Sequence, residues 1–151
     1  MTDTPANSSV RILVAIENPA GETGLVRVAA ALARARSGEL FLTHVLTPTR
    51  EPAASSAQAE LERAAQMAEA LGVRAVPNLI EGPSVVDAVL ATIRRYECNI
   101  VLMGWYSAVD RDAVLSSENR KLTKVLDVDM LIFKERSDKP PERILVPTGG
   151  G

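Results

Sequence analysis

Aromatic side chains are scarce in this chain: one tryptophan, two tyrosines and two phenylalanines in 151 residues. A core so poor in rings must be built from aliphatic side chains and alanine, which suits helices packed closely on a sheet. Cysteine is scarcer still. Cys98 stands alone, so no disulfide can close within the chain, which fits a reducing compartment. Histidine is also single. His44 has no cysteine, aspartate or second histidine in a ligand spacing, so it reads as a packed strand residue and no metal site is expected. No apolar run approaches the roughly 20 residues of a membrane span. Residues 1–9 lack the basic and apolar regions of a signal peptide and read as a disordered arm. An excess of positive charge is missing too. Seventeen Lys and Arg face nineteen Asp and Glu, a net charge of −2, so nothing favours nucleic acid or direct membrane insertion. The expectation is a cytoplasmic domain.

Catalytic signatures are also lacking. The segment after the first apolar run, "ENPAGETG", has no lysine and is no phosphate loop of the Walker type. No GxSxG elbow occurs. A phosphoacceptor domain would end its third strand on aspartate, where this chain has Ile80, Glu81 and Gly82. The expectation is no catalytic residue and no enzymatic activity.

What the chain does have is alternation. Arg11 to Ile16 is a short β-type run closed by Glu17, Asn18 and Pro19. Gly21 to Ser37 has helical spacing and stops at Gly38. Leu40 to Leu46 is a second strand, Ser55 to Leu71 an amphipathic helix, and Val73 to Ile80 a third strand. Pro77 places that third strand at a sheet edge. Pro83 to Tyr96, with Pro83 in its first turn, is a third helix, and Asn99 to Met103 a fourth strand. Ser117 to Leu126 and Met130 to Phe133 complete the pattern as helix and strand. Strands alternating with helices predict a doubly wound parallel sheet, with ligands at the carboxyl ends of strands where the winding reverses. Cys98, just before the fourth strand, reads as a small buried hydrophobe.

"RILV" at Arg11 to Val14 recurs at Arg143 to Val146, after a charged linker, 136–142, that carries Pro140 and Pro141. This predicts one complete domain at 10–135 and the first strand of a second similar unit at 143–151.

The stretches "RILVAIE", "LTHVL" at Leu42 to Leu46, "NIVLMG" at Asn99 to Gly104 and "KLTKVLDVDMLIF" resemble the universal stress protein family over Val10 to Lys134. The resemblance implies a Rossmann-like α/β fold with five parallel strands in the order 3-2-1-4-5. It also implies dimerisation through the last strand, here Met130, Leu131, Ile132 and Phe133, as a homodimer or a pseudo-dimer of tandem units. The "MGW" after the fourth strand and the second "RILV" further resemble cytoplasmic tandems at the C-termini of some amino-acid permeases and cation–chloride cotransporters. A transporter membrane domain in cis is the partner that this implies.

Some members of the family bind ATP. They carry a glycine, two residues, a second glycine, about nine residues, then Gly-Ser or Gly-Thr at the head of the last helix. Such glycines let backbone amides approach phosphates, and the helix head adds unpaired N–H groups. By that resemblance the nucleotide positions are Glu17, Val45, Gly104, Ser107, Ser116 and Ser117. Gly104 matches; Ser107 and Ser116 stand where glycines should, and eight residues separate them. Asp110, Asp112 and Glu118 add negative charge that repels a triphosphate. Glu17 replaces an aspartate that contacts the nucleoside, and Val45 matches the apolar position beside adenine. Ser117 is predicted to cap the last helix. Trp105 and Tyr106 read as a lid over the sheet or a partner patch. The expectation is a regulatory module with a degraded ATP site and no cofactor; the alternative is an ATP-binding stress protein with slow hydrolysis.

Overall fold

The computed structural model describes residues 9–48, 54–104 and 117–134. The arm before residue 9, the linker and the second "RILV" lie outside them, as do Trp105, Tyr106, Ser107 and Ser116. Five strands and four helices alternate: β1 (Arg11–Ala15), α1 (Thr23–Ala35), β2 (Glu39–Leu46), α2 (Ala54–Ala70), β3 (Arg74–Glu81), α3 (Val85–Tyr96), β4 (Ile100–Gly104), α4 (Ser117–Val125) and β5 (Asp129–Phe133). All strand pairs are parallel, in the order β3-β2-β1-β4-β5.

The central strand β1 is apolar on both faces because both are covered. Ile12 and Val14 join Leu40, Leu42, Leu25, Val26 and Leu61 under α1 and α2. Leu13 joins Phe41, Val101, Met103, Val89 and Leu122 under α3 and α4. The two helix pairs therefore lie on opposite faces, and the winding reverses between β1 and β4. The α1 face buries Ala29, Ala30 and Ala33 alongside its leucine and valine, so this helix seats close to the sheet. Phe41 stacks on Tyr96 with ring centroids 4.5 Å apart. Arg11 lies over the same Phe41 ring and pairs with Glu39, its register partner on β2.

Element ends follow cap chemistry. α2 ends in a Schellman motif: Val73 N–H donates to Ala68 O at 3.1 Å, Gly72 N–H donates to Glu69 O at 2.9 Å, and Gly72 takes φ of 85°. The third helix starts at Val85 and not at Pro83, because Ser84 is extended and its Oγ accepts from the Asp87 amide at 3.2 Å. α1 begins at Thr23, two residues past the predicted Gly21, because Gly21 closes a turn on the Asn18 carbonyl. α4 begins at Ser117 itself, so Ser117 is its first helical residue and not, as predicted, its cap; the residue before it lies outside the described residues.

Pro77 lies on β3, the predicted edge strand. The Gly82 amide donates to Leu46 O, so counting back by twos turns the Ile80 and Asn78 amides toward β2. Position 77 faces outward, where a missing N–H breaks no rung.

Candidate functional site at the strand crossover

The carboxyl ends of β1 and β4 meet where the winding reverses, with Ala15 in register with Met103. The loop after β1 and the residue ending β4 therefore lie side by side, at the position where doubly wound sheets take their ligands. Glu17 lies two residues past the end of β1 and is exposed. Gly104 ends β4, buried, in register with Phe133 on β5. Val45, near the end of β2, is 8% exposed. The sheet thus brings Glu17, Val45 and Gly104 to its carboxyl edge, and Ser117 heads α4 on the far side of β4. Ser107 and Ser116 are outside the described residues.

The β1–α1 turn is tightly held. The Gly21 amide donates to Asn18 O at 3.1 Å. The Asn18 amide donates to Glu22 Oε2 at 2.8 Å, and Glu22 is 8% exposed despite its charge. Glu22 is at the N-cap of α1, where a carboxylate also meets the positive end of the helix. A second polar group lies among apolar neighbours on β2. His44 Nδ1 is 2.7 Å from Ile16 O, and the ring is buried. Sequence reasoning treats His44 as a packed strand residue and does not single out Glu22. The signal for more is faint: a lone imidazole in an apolar strand, two residues before the strand ends.

A further polar cluster sits between β2, β3 and α3. Asn78 Nδ2 is 3.4 Å from Thr43 Oγ1 and 3.3 Å from Thr92 Oγ1. Thr92 donates its hydroxyl hydrogen to Ala88 O at 2.8 Å, and Thr43 is placed to donate to Phe41 O at 3.3 Å. Both hydroxyls can then only accept from Asn78, which fixes the orientation of its amide.

At the opposite end of the sheet, Cys98 is buried, and burial pushes its thiol from 9.0 up to about 11; nearby Arg11 lowers it and Glu39 raises it. That makes it a poor nucleophile. Among the described residues, no group of three or more His, Cys, Asp or Glu could hold a metal ion. Nor is any helix there long and apolar enough to cross a membrane. On β5, Met130 and Ile132 pack on the α3–α4 core and Phe133 on the α1–α2 core, while Leu131 is 40% exposed.

A five-stranded parallel sheet wound on both faces, with the winding reversed between β1 and β4, defines a doubly wound, Rossmann-like α/β domain. The model of the universal stress protein family matches residues 10–134, and the chain belongs to that family. Solved structures of the same fold include a universal stress protein in complex with cAMP, 18% identical, with a TM-score of 0.67 over 83% of this chain and 97% of that one. Another is the universal stress protein from Archaeoglobus fulgidus in complex with dAMP, 18% identical, TM-score 0.64, over 82% and 96%. A universal stress protein from Archaeoglobus fulgidus DSM 4304 is 20% identical with a TM-score of 0.69, over 91% of this chain but 49% of that one. None of the curated protein sequences matches the chain.

Proposed function

We propose that this domain is a non-catalytic regulatory module whose crevice between β1 and β4 takes an adenine nucleotide with a single phosphate in preference to ATP. The observation that carries the reading is the convergence of Glu17, Val45 and Gly104 at the carboxyl edge of the sheet. Glu17 offers a carboxylate to ribose hydroxyls, Val45 an apolar surface to the base, and Gly104 a backbone without a side chain beside the phosphate. Neighbours of the same fold that hold cAMP and dAMP support a ligand of that size. Against a triphosphate stand the serines at 107 and 116 and the acids Asp110, Asp112 and Glu118. Titration calorimetry with cAMP, AMP and Mg-ATP tests it. The expected order is measurable binding of the monophosphates and at least tenfold weaker binding of ATP. Tight ATP binding with release of ADP would favour the second reading, a nucleotide-binding stress protein with slow hydrolysis, which the family's ATP-binding members motivate.

The same reading includes assembly. The neighbour twice as long as the matched region supports a tandem arrangement, in which 143–151 opens a second unit. In this proposal the partner of the described domain is that unit or a second copy, joined at Met130, Leu131, Ile132 and Phe133. A cytoplasmic place beside a transporter's membrane segments is its finer form, and the full reading frame around this sequence tests it.

A further inference from the structure

Ile16 links the last residue of β1 to Glu17, and both of its backbone groups are held by β2. Its amide donates to Thr43 O at 2.9 Å. In a parallel ladder that continued, the Val45 amide would donate to the Ile16 carbonyl. The pairing stops at Ala15, and the donor 2.7 Å from that carbonyl is His44 Nδ1. A carbonyl only accepts, so the ring hydrogen sits on Nδ1. With the ring 3% exposed, water cannot readily replace the bond. One residue beyond Glu17, the Asn18 amide is fixed by Glu22 Oε2 at 2.8 Å. Glu17 is thus flanked by two side-chain clamps, one from β2 and one from α1.

We propose that His44 is a positioning residue for the crevice. It replaces a ladder rung with a side-chain bond, which fixes where β1 leaves the sheet and therefore how Glu17 is presented. Consecutive residues of β2 then have divided roles. Val45 is a wall of the crevice, and His44 anchors its rim from the other face of the strand. The consequence for a nucleotide rests on the crevice reading above; the loop geometry itself is tested without a ligand.

The test compares wild type with His44→Leu, which removes the donor, and His44→Asn, whose amide nitrogen can stand near the position of Nδ1. Hydrogen exchange is followed at the Asn18 and Gly21 amides, with Leu13 and Leu102 reporting global opening. In His44→Leu the two loop amides exchange about tenfold faster relative to the core amides, and His44→Asn recovers most of that protection. Nitrogen NMR of the wild-type ring finds its hydrogen on Nδ1. A hydrogen on Nε2, or His44→Leu loop amides as protected as in wild type, overturns the proposal. Should His44→Leu fail to fold, the ring tautomer and the His44→Asn exchange pattern decide the matter. Cyclic AMP is then titrated into each protein. Loss of affinity in His44→Leu with recovery in His44→Asn supports the role. If wild type binds no cAMP while the exchange pattern holds, the nucleotide reading fails and the positioning role stands.

Discussion

A side chain at Gly38 would collide with the backbone of Val10: an added Cβ would stand 2.2 Å from the Val10 carbonyl oxygen. That carbonyl is already occupied, because it accepts from the Glu39 amide at 3.0 Å. The glycine is therefore what allows α1 to hand over to β2 directly beside the entry to β1.

Gly38→Ala is expected to cost about 3 kcal/mol, since backbone cannot move aside as a flexible side chain can. Gly82→Ala is the control. Nothing lies within 4 Å of a Cβ there, so a change within about 0.5 kcal/mol is expected. Urea denaturation of both variants measures the difference. Equal losses would falsify the steric argument.

Much of the fold was legible because two periods dominate the sequence. Apolar runs of four to eight residues, cut by Gly38, Gly72 and Pro83, mark strands and turns. Pro77 marked an edge strand because a missing donor is tolerated only there. The helix start at Pro83 was misplaced by two residues, since Ser84 takes an extended cap conformation that proline spacing does not reveal. Of the candidate site, only the placement of residues on the sheet was legible. Glu17, Val45 and Gly104 are found at the carboxyl edge of the sheet, but the clamps around Glu17 were not. The bond from His44 to Ile16 spans 28 residues, and the burial of Glu22 depends on how a turn closes. Neither has a sequence period.

The raised thiol of Cys98 predicts a pH dependence of stability. Above about pH 9 the unfolded chain loses the thiol proton, while the folded chain keeps it up to about 11. The unfolded state then binds fewer protons, so stability falls as pH rises between those values. The loss is on the order of 2 kcal/mol. Lysines and tyrosines also titrate there, so the quantity to measure is wild type minus Cys98→Val. That difference should be flat below pH 9 and decline from 9 to 11; a flat difference throughout would sink the assignment. The same burial predicts slow alkylation of the native protein at pH 8.

Leu131 tests the proposed pairing at β5. Its side chain is 40% exposed on a strand whose outer edge pairs with no other strand among the described residues, whereas Met130 and Ile132 are half-buried against the core. Leu131→Glu should halve the solution mass measured by light scattering and leave circular dichroism unchanged. An unaltered mass for a folded variant would remove β5 from the interface.

The two borders of the sheet differ in a way that bears on how large an assembly can grow. On β3 the outward amide at position 77 is missing, because a proline stands there. A strand laid along that border would find a gap in the middle of its donors. The β5 border carries no proline along Asp129–Phe133. Extension of the sheet is thereby allowed on one side and resisted on the other. If two copies meet at β5 as proposed, only β3 borders stand outermost among the described residues, and growth would stop at a closed pair and not run on into a fibre.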